Sequence, residues 1–217
     1  IRVARFILQV APSAKVICTG ASFYPLRSAR ESIGQLRFSY ISVRDRFSRR
    51  CLIAQQTPAP RMLGDDSYLI RRRDLYSKPQ QQLGHALIVC IQAQFGLEEQ
   101  LARVGEVIDS IAIRQSFKRV KVLQLSNGDE LICNHLKHPN VIFVSRQEIL
   151  AQGLPISNRD YFISTRFHFR LLCERLGLRG TALAINDYYS IKHELSKKDK
   201  FLFTQRAISL QEFCRMR

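Results

Sequence analysis

Short apolar runs, broken by charged and turn-forming stretches, set the pattern of this chain. RVARFILQV (2–10) and AKVICTG (14–20) read as strands and SARESIGQL (28–36) as a short helix. RFSYISVRD (37–45) and RRCLIAQQ (49–56) alternate polar and apolar positions well enough to predict two more strands. TPAPRMLGDD (57–66) gathers Pro, Gly and Asp and predicts a loop, and SKPQQQ (77–82) is a second break. A soft boundary is therefore expected near residue 80, dividing a basic N-terminal α+β region (1–80) from the remainder (81–217).

Beyond it, LGHALIVCIQAQFGLEEQLARVGEVIDSI carries two apolar stripes: Leu87, Ile88, Ile91 and Phe95, then Leu97, Leu101, Val104 and Ile108. The spacing predicts helix, broken or kinked at Gly96. VKVLQLSNGDELICNHL consists of two alternating runs around Asn127-Gly128, a dipeptide suited to the positive φ angles of a tight turn. It predicts a β-hairpin over about 119–135. VIFV (141–144) follows as a strand, and Ser145 with Glu148 forms a capping box opening a helix that Gly153 and Pro155 stop. A second box, Ser209 with Glu212, opens a C-terminal helix. Between them Ser164 or Thr165 is placed to cap a helix with Phe167, Leu171 and Leu172 inward and Arg166, Arg170 and Glu174 outward. Strands, hairpin and helices in irregular order predict an α+β fold with mixed or antiparallel strands, packed with a central helical segment and short C-terminal helices.

Charge changes the picture most. The chain holds 34 Lys and Arg against 18 Asp and Glu in 217 residues, a formal net charge of +16. Arg supplies 25 of those cations, and its planar fork grips phosphate and carboxylate in pairs of hydrogen bonds. The positive charge lies on the two flanks: residues 83–109 hold one basic and four acidic side chains. Such a balance predicts a polyanionic partner. Three runs carry it: RDRFSRR with Arg44, Arg46, Arg49 and Arg50; SYLIRRRDLY with Arg71, Arg72 and Arg73 between Tyr68 and Tyr76; and KHELSKKDK with Lys197 and Lys198. Cations beside aromatic rings suit phosphate neutralisation and base stacking. Arg119, Lys121 and Lys137 flank the expected hairpin, whose pairing would bring them into one patch, and Arg166, Arg170 and Arg179 complete the candidate contacts.

Six cysteines, at 18, 51, 90, 133, 173 and 214, are widely spaced with no CxxC pair. That spacing disfavours a zinc ribbon and a disulfide framework and predicts reduced thiols in an intracellular compartment, cytoplasm or organelle matrix. The Arg-bearing, acid-poor first thirty residues also have the composition of an organellar leader, although a buried strand is the favoured reading there. Cys133, His135 and His138 make a C-x-H-x2-H cluster one ligand short of a structural zinc site, so no metal is expected. No stretch is apolar for long enough to predict a membrane span.

LLCERLGLRGTALAINDYY, with Cys173, Gly177 and the apolar Leu172, Leu176, Leu178 and Leu183, resembles the helix-turn-helix of DNA-binding regulators and replication initiators. The resemblance implies DNA contacts from Arg179 and Thr181. It departs from the pattern at Asn186, and helix, turn and strand, with TALAI as strand, is favoured. Phosphate-loop, nucleophile-elbow and HExxH motifs are absent from the sequence. These features together predict a nucleic-acid-binding protein, first an RNA-binding structural component of a ribonucleoprotein with other protein subunits, without cofactor and without catalysis. The alternatives are a DNA-binding regulator, a nuclease whose His and Tyr leave no motif, and an interaction subunit facing a protein through residues 84–109.

Overall fold

The computed structural model describes residues 13, 15–21, 38–53, 60–63, 65, 85–93, 98–186, 189–190 and 208–215. The chain divides into two units, Ile1–Leu69 and Ile70–Arg217. In the first, strands β1 (Val16–Ala21), β2 (Phe38–Val43) and β3 (Arg61–Met62) form a parallel sheet in the order β1-β2-β3. Helix α1 (Arg46–Ile53) connects β2 to β3. RRCLIAQQ, expected as a strand, is thus helix over its described residues 49–53. The cause is Asp45, whose buried carboxylate accepts the backbone N–H of Ser48 at 2.7 Å and its hydroxyl at 2.9 Å, satisfying first-turn donors. Ile41, Val43 and Leu52 form the small core of this unit.

The second unit begins with β4 (Ala86–Cys90), α2 (Glu98–Arg114) and β5 (Arg119–Leu123). A 3-10 helix (Asp129–His135), β6 (Val141–Val144), α3 (Arg146–Gln152) and β7 (Tyr161–Ser164) follow. Then come α4 (Phe167–Arg175), β8 (Arg179–Ala184), β9 (Ile208–Ser209) and α5 (Leu210–Cys214). All six strands are parallel, in the order β6-β5-β4-β7-β8-β9. Counted within this unit the order is 3-2-1-4-5-6, the doubly wound arrangement. The expected α+β fold with antiparallel strands is thus corrected to α/β with parallel sheets.

Two local misreadings underlie that correction. ALIVC is a strand buried over its whole length, because a central parallel strand is covered on both faces and reads as an unbroken apolar run. Leu87, Val89 and Ile91 face the core under α2, and Ala86, Ile88 and Cys90 face the core under α4. Only the later stripe is helical: Leu101, Val104 and Ile108 of α2 are buried. The second error is the hairpin. Gly128 does adopt positive φ (90°), but it opens the 3-10 helix instead of turning the chain back. Asp129 accepts the backbone N–H groups of Leu125 and Ser126, each at 2.9 Å, which curls the segment away from β5. The next strand, β6, pairs with β5 in parallel, Val120 against Val141. The favoured reading of the segment after Gly177 holds: residues 179–184 are strand β8, which removes the helix-turn-helix that the segment resembles.

Other expectations hold. VIFV is a strand. Ser145 and Glu148 form the complete capping box, Gly153 ends α3 at φ 85°, and the Ser209 hydroxyl accepts the N–H of Glu212. The expected elements at 2–10 and 28–36 and the break at Gly96 lie outside the described residues.

Candidate functional site

In an open parallel sheet, ligands bind outside the carboxyl ends of the strands, where the strand order reverses. Here that point lies between β4 and β7. The two strand ends are stitched together. The Cys90 carbonyl accepts the Thr165 N–H at 3.1 Å and the Ser164 hydroxyl at 2.9 Å, and the Gln92 N–H donates to the Thr165 hydroxyl at 2.8 Å. Ser164 and Thr165, expected to cap the next helix, are held in this stitching, and Arg166 occupies the N-cap with no side-chain bond. No acidic residue lies in the first turn of α4, so the positive end of its dipole is left to favour an anion. Gln92 is 9% exposed and its Oε1 has no hydrogen-bond partner among the described residues. A buried amide oxygen in that state is a waiting acceptor for a ligand hydroxyl.

Arg166 is the charged centre of the crevice. Its Nε donates to Asp129 Oδ2 at 3.0 Å and its Nη2 to Asp129 Oδ1 at 2.5 Å, with Nη2 also on the Ser126 hydroxyl. Asp129 is fully buried and the Arg166 side chain is 18% exposed. One edge of the guanidinium is thus fixed from the loop after β5, and Nη1, which makes no hydrogen bond among the described residues, remains to donate. Two residues on, in the first turn of α4, His168 is exposed. The crevice therefore sets a fixed cation at the N-terminus of α4, whose first turn carries an exposed histidine, groups suited to a carboxylate or phosphate.

Neither Cys90 nor Cys173 supplies a nucleophile. Burial, and next the Asp129 charge, push the Cys90 thiol far above its ordinary value, and burial raises Cys173 in the same way. Both are inert packing groups.

The candidate contacts scatter. Arg44 pairs with Asp65 at 3.3 Å, whereas Arg46, Arg49 and Arg50 lie exposed on α1. Arg119, Lys137 and Arg179 sit at the opposite end of the second unit's sheet from the crevice, and Lys121 Nζ donates to the Pro155 carbonyl at 2.7 Å. Arg170, expected outward, is fully buried, with Nε on Glu174 at 2.7 Å. Of the described candidates the crevice keeps Arg166 alone. Tyr68, Arg71, Arg72, Arg73, Tyr76, Lys197 and Lys198 lie outside the described residues. His135 pairs with Glu98 at 3.3 Å, while His138 bonds the Phe117 carbonyl at 3.2 Å. Among the described residues no group of three His, Cys, Asp or Glu could hold a metal ion. Gln92, Ser126, Asp129, Thr165 and His168 were missed. Their signal was position: each follows the end of a short apolar strand, which matters only once the strands are known to be parallel.

Mostly parallel strands in two sheets with helices between define a Rossmann-like α/β fold of the glycosyltransferase type. The model of the family described as polysaccharide pyruvyl transferase matches residues 4–187, most of the chain, and the protein belongs to that family. No curated protein and no solved structure matches the chain. Membership overturns the nucleic-acid readings, both the ribonucleoprotein component and the DNA-binding regulator. Net charge reports on anions in general, and Arg-rich surfaces serve carboxylates and sugar acids as readily as phosphodiesters. No described helix is long and apolar enough to cross a membrane.

Proposed function

We propose that the protein transfers a pyruvyl group from an activated enolpyruvyl donor to hydroxyl groups of a saccharide, with the crevice between β4 and β7 as the donor site. The family match over residues 4–187 carries the reading. The chemistry of the crevice supports it. An enolpyruvyl phosphate bears a carboxylate and a phosphate; Arg166 Nη1 suits one, and the positive N-terminal end of α4, with no acid in its first turn, suits the other. In the transfer, the enol CH2 gains a proton to become a methyl group, and C2 loses its bond to the phosphate oxygen. C2 then forms bonds to two sugar oxygens. Of the two hydroxyl protons released, one balances the proton gained by the methyl carbon and the other leaves with phosphate. His168 is the proton carrier best placed for these steps.

The test is saccharide-dependent phosphate release from phosphoenolpyruvate, with mass spectrometry of the acceptor for the added ketal. His168→Ala should lower turnover by about 100-fold or more, and Arg166→Ala should raise the KM for the donor. Absence of transfer to every acceptor in a broad saccharide panel, by folded protein, would refute the function. Unchanged turnover in His168→Ala would remove that residue from the mechanism.

A further inference from the structure

The amino-end edge of the second unit's sheet, opposite the crevice, carries a row of cations. Arg119 begins β5 and Arg179 begins β8, and the register sets Arg119 against Ala86, Tyr161 against Leu87 and Arg179 against Tyr161, so all lie at one edge. Lys118 and Arg159 precede β5 and β7 by one and two residues, and Lys137 lies in the segment entering β6. Lys118, Lys137, Arg159 and Arg179 are exposed and Arg119 is half-buried. None of the five forms an ion pair among the described residues.

The acids nearby among the described residues are turned inward. Asp160 is 3% exposed and accepts the N–H groups of Ala86 and Ser157 at 2.8 and 2.7 Å. Asp109 is 8% exposed and accepts those of Lys137 and His138 at 2.7 and 3.1 Å. Glu174, in the last turn of α4, pairs with Arg170. The dipoles of α2 and α4 account for cations in their last turns, Arg114 and Arg175. They do not account for the five, which lie in loops and strands. Uncompensated like charges repel one another and oppose the compact state.

Neighbouring strands lie about 4.8 Å apart, so cations distributed from β6 to β8 extend over roughly 20 Å. That is the complement of a chain of anionic groups, not of a single one. Each pyruvyl group moved onto a saccharide leaves a carboxylate there, so the product becomes a polyanion as transfer proceeds. We propose that this edge binds the already pyruvylated stretch of the polysaccharide. Strands of four to six residues keep that stretch roughly 13–20 Å from the crevice, where its carboxylates do not compete with the donor's. Exposed Gln115, Ser116 and Asn158 between the cations offer hydrogen bonds to sugar hydroxyls. A lipid surface would instead favour apolar side chains among the cations; of the described large apolar residues, Ile113 and, in β6, Ile142 and Phe143 are exposed at or near this edge, fewer than the cations and polar side chains there.

This inference rests on the pyruvyl-transfer reading, but its binding test uses no donor. Binding is measured to a polysaccharide bearing pyruvate ketals, to the same polymer after mild acid removes them, and to anionic phospholipid vesicles. The proteins are wild type and the fourfold variant Lys118→Ser, Lys137→Ser, Arg159→Ser, Arg179→Ser. Wild type should bind the ketal-bearing polymer more tightly than the stripped one, with weakening in high salt. The variant, with its melting temperature kept, should lose about tenfold or more of that affinity, while its turnover on a short acceptor is unchanged. Equal affinity for both polymers, undiminished binding by the variant, or binding to vesicles and not to polymer would overturn the proposal. A protein that binds the ketal polymer through this edge yet transfers no pyruvyl group would refute the catalytic reading alone.

Discussion

Gly180 lies opposite Phe162 in the β7–β8 pairing, and a methyl group there has nowhere to go. A Cβ at 180 would overlap Cγ, Cδ1 and the carbonyl oxygen of Phe162, closer than Cβ atoms come in real proteins. The ring cannot swing aside: Phe162 is 1% exposed and meets Phe169 of α4 edge-on, centroids 6.5 Å apart at 87°. Overpacking of this kind costs about 1–3 kcal/mol. Replacing glycine also restricts the unfolded chain, an offset of about 0.4–1 kcal/mol. Gly180→Ala should therefore destabilise by about 1–2 kcal/mol, which at this chain length lowers the melting temperature by roughly 2–8 °C. The chain contains no Trp, so urea unfolding is followed by circular dichroism. Phe162→Leu opens space at the overlap, so Gly180→Ala should cost less in that background than in wild type. An unchanged or raised urea midpoint, or the same loss in both backgrounds, would refute the packing argument. Because Phe162 precedes the stitched residues Ser164 and Thr165 on the same strand, the variant should also reduce pyruvyl transfer.

Three further outcomes are expected. Asp129→Ala leaves the Arg166 guanidinium partly buried without its carboxylate and should cost about 3–5 kcal/mol by thermal denaturation; Asp129→Asn should cost less and still lower transfer, since the fixed edge of Arg166 loses its charged partner. At Gly105 an added Cβ would meet the backbone of His135, its carbonyl carbon at 2.9 Å and its Cβ at 2.8 Å, so Gly105→Ala should separate α2 from the 3-10 helix and destabilise by about 1–3 kcal/mol in chemical denaturation. The Ser145 N–H and hydroxyl hold the Glu148 carboxyl below its ordinary value of 4.5; a depressed carboxylate stabilises the fold above that value and loses its contribution as pH falls through its folded-state value. The melting-temperature gap between wild type and Glu148→Gln should accordingly close in acid, and a gap constant with pH would contradict the capping box.

The sequence by itself determined what is written within a few residues. Ser145 and Glu148 are three apart and so are Ser209 and Glu212, and each pair places an oxygen on the first turn of its helix in any fold. Gly128 takes positive φ whether the turn opens a hairpin or a 3-10 helix. The apolar stripe of α2 follows the helical period, and VIFV remains a strand in either topology. What a run cannot specify is its partner. ALIVC has no period that distinguishes a buried strand from a helix, and its identity came from β5 on one side and β7 on the other. The crevice depends wholly on such choices: the Gln92 N–H reaches Thr165 across 73 residues, and Arg166 reaches Asp129 across 37. Charge was legible as a total, but its division was not. Parallel pairing put Arg166 at the carboxyl ends of the strands and Arg119 and Arg179 at the amino ends. The direction in which strands run relative to one another is set by burial on both sheet faces, a property of the assembled layers that no local pattern contains.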